Sequence, residues 1–416
     1  MDWNLRGIEQ QETQPQDAPL ALLAGVLFVP RQMVDGTLYG VGKTAEYLSD
    51  KDFIEKVKDI LYLHEPELLW FPIVWYASDF RPTYGAGLYY KNGGIRSLFR
   101  GMIHDSNYGS FSLKNNYIHD IEWGSWKSSL LGVIEKKNDR RFYGLGASPK
   151  NDSRNTFLAN NDFGTYTEDR RKIQWSTGLF TPTSDYGIEY LGFFQRRDFK
   201  SHGHGIDDLE DIMDVSRIPG FNYPVSQIYN ELSVKMDTRK NKKLLSPGFR
   251  GETYAGFSTG IGDNPSDLFR TGFDLAGFIP VVKSDRLIVP RVVFDVVENL
   301  EDEPIPFSEY PRQYTFRGLS TRELIRSERV SMAPSIEYEW PLSHMLSGHI
   351  FFDSLIVGPR LSEFRWEHGI WAGGFGIDLH YLEHELGRLE LAGGSEGFYL
   401  SLTIGQPLRS NHRADW

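Results

Sequence analysis

The chain has 416 residues, no cysteine, an aromatic share of 14% and a formal net charge of -11. The missing cysteines exclude a disulfide framework and a thiolate metal site, and the negative balance argues against a nucleic-acid partner. A mean hydropathy of -0.41 suits a soluble protein, but strands that show an apolar residue at every second position hide from such an average.

Residues 1–30 are polar and Gln-rich, then briefly apolar. The longest apolar run, residues 20–29, is too short to cross a bilayer as a helix. Met1, Asp2, Trp3 and Asn4 lack the basic start of a secretory signal; the expectation is a mature form behind an added or retained Met. Residues 43–63 read as an amphipathic helix, with Tyr47, Phe53, Ile54, Val57, Ile60 and Leu61 near helical spacing and Pro66 beyond them. Such a helix either packs on protein or lies at the inner membrane–water boundary.

From about residue 70 the pattern changes to alternating segments separated by turn residues. Strands are predicted near 82–91, 95–104, 108–118, 121–135, 155–166, 169–181, 185–198, 225–239, 248–261, 267–282, 285–299, 327–340, 346–357, 367–380, 387–393 and 396–406. Residues 71–77 are an extra strand or a plug segment. The strand after Ser327 alternates strictly: Val330, Met332, Pro334, Ile336, Tyr338 and Trp340 on one face, Ser331, Ala333, Ser335, Glu337 and Glu339 on the other. An apolar face against lipid and carboxylates against a wet interior describe a transmembrane antiparallel β-barrel of about sixteen strands. Turns at Lys283, Ser284 and Asp285 and at Pro341, Leu342 and Ser343 are short; 200–224 and 300–326 are long. The exception to that alternation is 136–154, long on the predicted periplasmic side. Trp123, Trp126, Trp175, Phe180, Trp340, Trp366 and Trp371 lie near strand ends, as interface girdles require; a soluble β-sandwich with core aromatics is the competing reading. The resulting organisation is coil and helix over 1–66, barrel over 67–408 and a tail over 409–416.

Four features carry a family resemblance. Phe316, Arg317, Gly318 and Leu319 form an aromatic-Arg-Gly tip in a proline-bearing stretch. Residues 336–342 are an acidic strand ending on Pro341. Phe351, Phe352 and Asp353 form a Phe-any-Asp motif. Gly397 opens a last strand with Phe398, Leu400, Leu402 and Ile404 alternating. In this order the chain resembles the outer-membrane assembly and secretion barrels related to BamA, TamA and FhaC (the bacterial surface antigen family). Residues 142–146 and Met236 to Arg239, followed by Pro247 and Gly248, are weaker echoes. The resemblance spans about residues 70–408. It departs from the family before the barrel, where no POTRA domain is legible, and at Leu408, where the family places a terminal aromatic.

The resemblance implies a loop lock of Arg317, Gly318, Glu337, Phe351 and Asp353. A guanidinium meeting a carboxylate bidentately offsets the ordering entropy of a loop folded into a lumen. Parity agrees: Glu337 lies on the polar face, Asp353 shares the face of Phe351, and Ile350 and Phe352 face lipid. A closed barrel also needs a seam between first and last strands. The expectation pairs residues 82–90 with 396–406, weakened by Gly85 and Gly87, with Gly397, Phe398 and Pro407 on the last strand.

Rival sites are weaker. Ser201, His202, His204, Asp207, Asp208, Glu210 and Asp211 suit a hydrated loop or a divalent cation. His380, Glu383 and His384 fall in a strand and turn, without the helical geometry of a zinc motif. The basic cluster Arg239, Lys240, Lys242 and Lys243 is read as a periplasmic turn, solvated or near anionic head groups. No persuasive Ser/His/Asp set is present, so no enzyme, cofactor or metal is expected. Two functions stand: a bacterial outer-membrane barrel that assists proteins or lipids in entering or crossing the membrane through its seam, or a passive porin-like or structural barrel. The partners implied are outer-membrane lipid, client outer-membrane or secreted proteins, and a homo-oligomer through barrel strands.

Overall fold

The computed structural model describes residues 62–404, apart from 65–66, 78–79, 106–107, 203–206, 240–245, 282, 312–315, 319–322, 325, 344–345 and 382–383. The predicted helix over 43–63 lies outside the described residues except at its end, where Tyr62 and Leu63 belong instead to a short strand, Tyr62–His64.

Sixteen strands make the wall: β1 Leu68–Ala77, β2 Thr83–Asn92, β3 Ile95–Asp105, β4 Tyr108–Ile121, β5 Gly124–Phe142, β6 Gly164–Phe180, β7 Tyr186–Lys200, β8 Val225–Asp237, β9 Gly248–Ile261, β10 Leu268–Val281, β11 Lys283–Asn299, β12 Val330–Pro341, β13 Leu346–Gly358, β14 Ile370–Tyr381, β15 His384–Gly394 and β16 Gly397–Ile404. Each pairs antiparallel with the next, and β16 returns to pair with β1, which closes the sheet. Closure leaves no strand edge to lie unmatched in hydrocarbon.

The alternation behaves as the barrel reading requires. On β6, Tyr166, Glu168, Arg170, Lys172 and Gln174 are buried inward, while Ile173 and Trp175 are exposed outward at 58% and 39%. On β12, Glu339 is buried and Ile336 is 49% exposed. Tyr338 and Trp340 share the face of Ile336 but are themselves covered; they stack on each other at 5.4 Å, and Trp340 lies across Gly348.

Two corrections to the predicted strands offset each other in the count. The first strand is β1, over residues that had been left as an extra strand or plug. Its sequence, Leu-Leu-Trp-Phe-Pro-Ile-Val-Trp-Tyr-Ala, is apolar on both faces and contains Pro72, so it shows no alternation. Predicted strand 155–166 does not exist: β6 runs unbroken from Gly164, and 143–163 is a connection. The gap expected at Thr167 and Glu168 is continuous strand, and both of these residues are buried.

β5 also extends to Phe142, so the long connection 143–163 lies at the same end as 201–224 and 300–329. The exception at 136–154 disappears. These long connections meet in a cap of apolar residues, among them Phe142, Leu145, Leu209, Met213, Phe221, Ile305 and Phe307. Phe307 is fully buried and stands 4.7 to 5.8 Å, ring to ring, from Phe199, Phe142, Tyr166 and Phe221.

Candidate functional site

Connection 300–329 enters the lumen and is fastened at two levels. At the first, Arg317 donates from Nε to Asp353 Oδ2 at 2.9 Å and from Nη2 to Asp353 Oδ1 at 2.7 Å, while its backbone N–H reaches Oδ2 at 3.0 Å. Nη1 donates to Glu337. The guanidinium carbon also lies 3.7 Å from the centre of the Phe351 ring. Adjacent strands supply these partners: Glu337 on β12 is registered with Phe351 on β13, and Ser335 with Asp353. The fork geometry uses both carboxylate oxygens, and the ring covers the face of the cation.

Two neighbours make the position possible. Phe316 is 3% exposed and packs among Val293, Ala333, Leu355, Ile370 and Ala372. A Cβ on Gly318 would lie 2.7 Å from Ala372 and 2.9 Å from the Phe316 ring, so the chain turns there only without a side chain.

The lock continues into a buried cluster that sequence reasoning missed. His349 is fully buried, with Nδ1 2.8 Å from Asp378 and Nε2 3.4 Å from Glu390. Arg388 bridges the same two carboxylates at 2.5 and 3.1 Å. The parity of Phe351 and Asp353 already places His349 inward.

The second level was also missed. Glu309 accepts from Gln227 Nε2 at 2.9 Å, and Arg197 reaches the Ser308 carbonyl at 2.8 Å and Glu309 at 3.4 Å. Arg270 donates to the Glu309 carbonyl. On the same wall Arg140 meets Glu168 at 2.8 Å and Glu135 at 3.2 Å. The signal was present in the loop itself: Ile305, Phe307 and Tyr310, set between Pro304, Pro306 and Pro311, are too apolar for a solvated outer connection. Against this plug lies a small cavity of about 50 Å³ lined by Lys172, Gln174, Gln195, Gln227, Glu231 and others.

A third clamp joins two connections. Arg154 pairs with Asp152 at 2.7 Å and with Glu328. Burial pushes the Asp152 carboxyl up, but hydrogen bonds from Arg154 outweigh it and hold the group below its ordinary value. Arg326 of the same connection reaches Glu396, in the turn before β16, at 3.1 Å.

The seam differs from its predicted form. β16 pairs with β1, not with residues 82–90. Among the described residues the contact spans four residue pairs, Ser401 with Ala77 through Ile404 with Val74, against eight on either flank. Pro72 has no amide, so β1 gives no hydrogen bond there to either neighbour. Gly85 and Gly87 lie in β2, away from the seam; a Cβ on Gly87 would strike the Phe71 ring at 2.2 Å, so this glycine serves the packing of β1 on β2. Gly397 takes φ +114° in the β15–β16 turn, and Phe398 faces outward, 66% exposed. Pro407 lies outside the described residues.

Of the remaining motifs, Asp237 and Arg239 form a bidentate pair, and Arg239 covers the Phe278 ring at 4.7 Å. His202 lies 2.7 Å from Asp208, and Ser201 donates to Glu210 at 2.7 Å. No group of three metal-ligating side chains occurs among the described residues. His380 is the next-to-last residue of β14 and His384 opens β15.

The closed sixteen-strand barrel has counterparts in fold among solved structures. The barrel is BamA-like in fold. It is similar to the crystal structure of BamA from Haemophilus ducreyi lacking POTRA domains 1–3, with a TM-score of 0.55 and 11% identity, over 82% of this chain and 70% of that one. It is also similar to CdiB from Acinetobacter baumannii, with a TM-score of 0.50 and 10% identity, over 81% of this chain and 59% of that one. No family model matches the chain, and no curated protein does. At such identities the likeness is one of fold, and barrels of this fold are typical of bacterial outer membranes.

Proposed function

We propose that this BamA-like barrel resides in a bacterial outer membrane and assists the insertion or passage of proteins or lipids through its β1–β16 seam. The observation that carries the reading is the shortness of that seam, four residue pairs among the described residues in a wall where both flanking pairings have eight. Among the described residues, fewer backbone pairings resist separation there than on either flank. The lumen argues in the same direction, because the connection 300–329 is fastened inside it at two levels, by Arg317 and by Glu309 beneath the apolar cap. A passive pore has no use for such a plug.

The test uses a chain with no native cysteine. Tyr76→Cys and Leu402→Cys place thiols on paired residues across the seam. Reconstituted in liposomes, the reduced variant should promote insertion of a model outer-membrane barrel, and oxidation should abolish that effect until reductant is added. Full activity in the oxidised form overturns the seam reading. Steady conductance with no effect on insertion in either form would instead identify a passive channel.

A further inference from the structure

Each position on a strand edge takes one partner. One edge of β1 is filled by β2, which registers Tyr90 with Leu68 and Tyr89 with Leu69. The other edge is the seam edge, where β16 holds Val74 to Ala77. The short strand Tyr62–His64 pairs antiparallel with Leu69 and Leu68, so it too lies on the seam edge. A strand continued along that edge from Val74 toward Leu68 runs into it.

The short strand is fastened by its backbone. Glu67 N–H donates to the His64 carbonyl at 2.8 Å, and Lys91 N–H, just past Tyr90 on β2, donates to the Glu67 carbonyl at 2.8 Å. The turn is therefore anchored to the barrel, which keeps the strand at high effective concentration beside its edge. The side chains of Leu63 and His64 add little: Leu63 is 59% exposed and His64 is exposed. Few bonds, little burial and a short tether describe a contact that closes readily and yields to a longer strand.

We propose that Tyr62–His64 is an intramolecular guard of the seam, occupying the edge of β1 until an entering strand displaces it. This rests on the seam reading above. The guard blunts an exposed edge against indiscriminate pairing, and it sets a length threshold, since only a partner that also gains bonds further along β1 replaces it at net advantage.

The probe is a synthetic peptide copying the sequence of residues 401–410, whose first four residues are those that pair with Ala77 to Val74 and whose last two, in the same register, reach Leu69 and Leu68, fitted with a photo-crosslinker. The full chain is reconstituted in nanodiscs. Tyr62→Cys with Leu69→Cys allows the guard to be fixed by oxidation, and Tyr62→Pro with His64→Pro removes two of its amides. Crosslinking to residues 68–73 should be low in the wild type, absent in the oxidised cysteine variant, restored by reductant, and several-fold higher in the proline variant. Retention of the heat-modifiable migration of a folded barrel checks each variant. A cysteine pair that does not close under mild oxidation overturns the pairing itself. Equal labelling in oxidised, reduced and proline forms overturns the guard and leaves the seam reading standing. No labelling in any form, the proline variant included, overturns both.

Discussion

Arg317 concentrates the consequences of a single side chain. Its partner Asp353 is 1% exposed, so removing the cation strands a carboxylate in a nearly dry place. Breaking a buried pair from one side costs about 3 kcal/mol or more. Arg317→Ala should therefore lower the barrel's resistance to denaturant and raise amide exchange at Phe316 and Gly318. Arg317→Lys should recover only part of it, because an ammonium cannot fork to both oxygens of Asp353 while also reaching Glu337. Unchanged exchange in Arg317→Ala would show that the lock contributes nothing to loop order. The Arg154 clamp has a pH signature. The Asp152 carboxyl is lowered in the folded chain, so its contribution is fully present above the ordinary value, about 3.9, and is lost as pH falls through the folded value. Exchange at Leu145, whose N–H is held by Asn155 within this connection, should stay slow down to that range and then rise. Asp152→Asn should loosen the connection at neutral pH and remove the acid limb.

At the scale of elements, the connections matter as much as the strands. The 300–329 connection is a plug with an apolar anchor, Phe307, and an ionic one, Arg317. Phe307→Ala would leave a cavity among Phe142, Tyr166, Phe199 and Phe221, at a cost of about 3 kcal/mol or more. The expected readout is faster proteolysis within 300–311 while the strands remain folded. If unfolding of the whole barrel accelerates instead, the cap and the wall form one cooperative unit. β6 shows the same principle in a strand. Its charges are tolerated in mid-strand because Glu168 meets Arg140 and Arg197 across the lumen wall, so the run stabilises the sheet that it would break on a lipid-facing side.

For the whole molecule, the proposed function makes closure, plug and seam together fix what passes. With the lumen filled at both levels, the purified barrel in a planar bilayer should conduct little. The combined Arg317→Ala and Phe307→Ala variant should open stepwise conductance. A large steady conductance in the unmodified protein would contradict the plug and favour the passive reading. Strain placed on the wall should appear first at the seam, where pairing among the described residues is short, and the guard strand and the Arg326–Glu396 contact both act on strands that border it.

The period-two pattern from residue 82 onward determined the barrel, its facing and most of its strands, because each residue on a lipid-bounded wall must choose between hydrocarbon and a wet lumen. The lock residues were named by the family resemblance, and parity agreed, since Glu337 and Asp353 sit inward. Three things were decided only by the tertiary structure. β1 was concealed because a strand apolar on both faces carries no alternation, and its omission moved the seam to the wrong glycines. The gap expected at Thr167 and Glu168 in β6 was closed because Glu168 meets Arg140 and Arg197 from the neighbouring strands, which sequence does not say. The second anchor of the loop, and the cluster around His349, depend on which side chains from distant strands converge, a matter of register between Arg197, Gln227, Asp378 and Glu390. Local pattern specifies which face a residue takes; only closure of the sheet specifies whom it meets there.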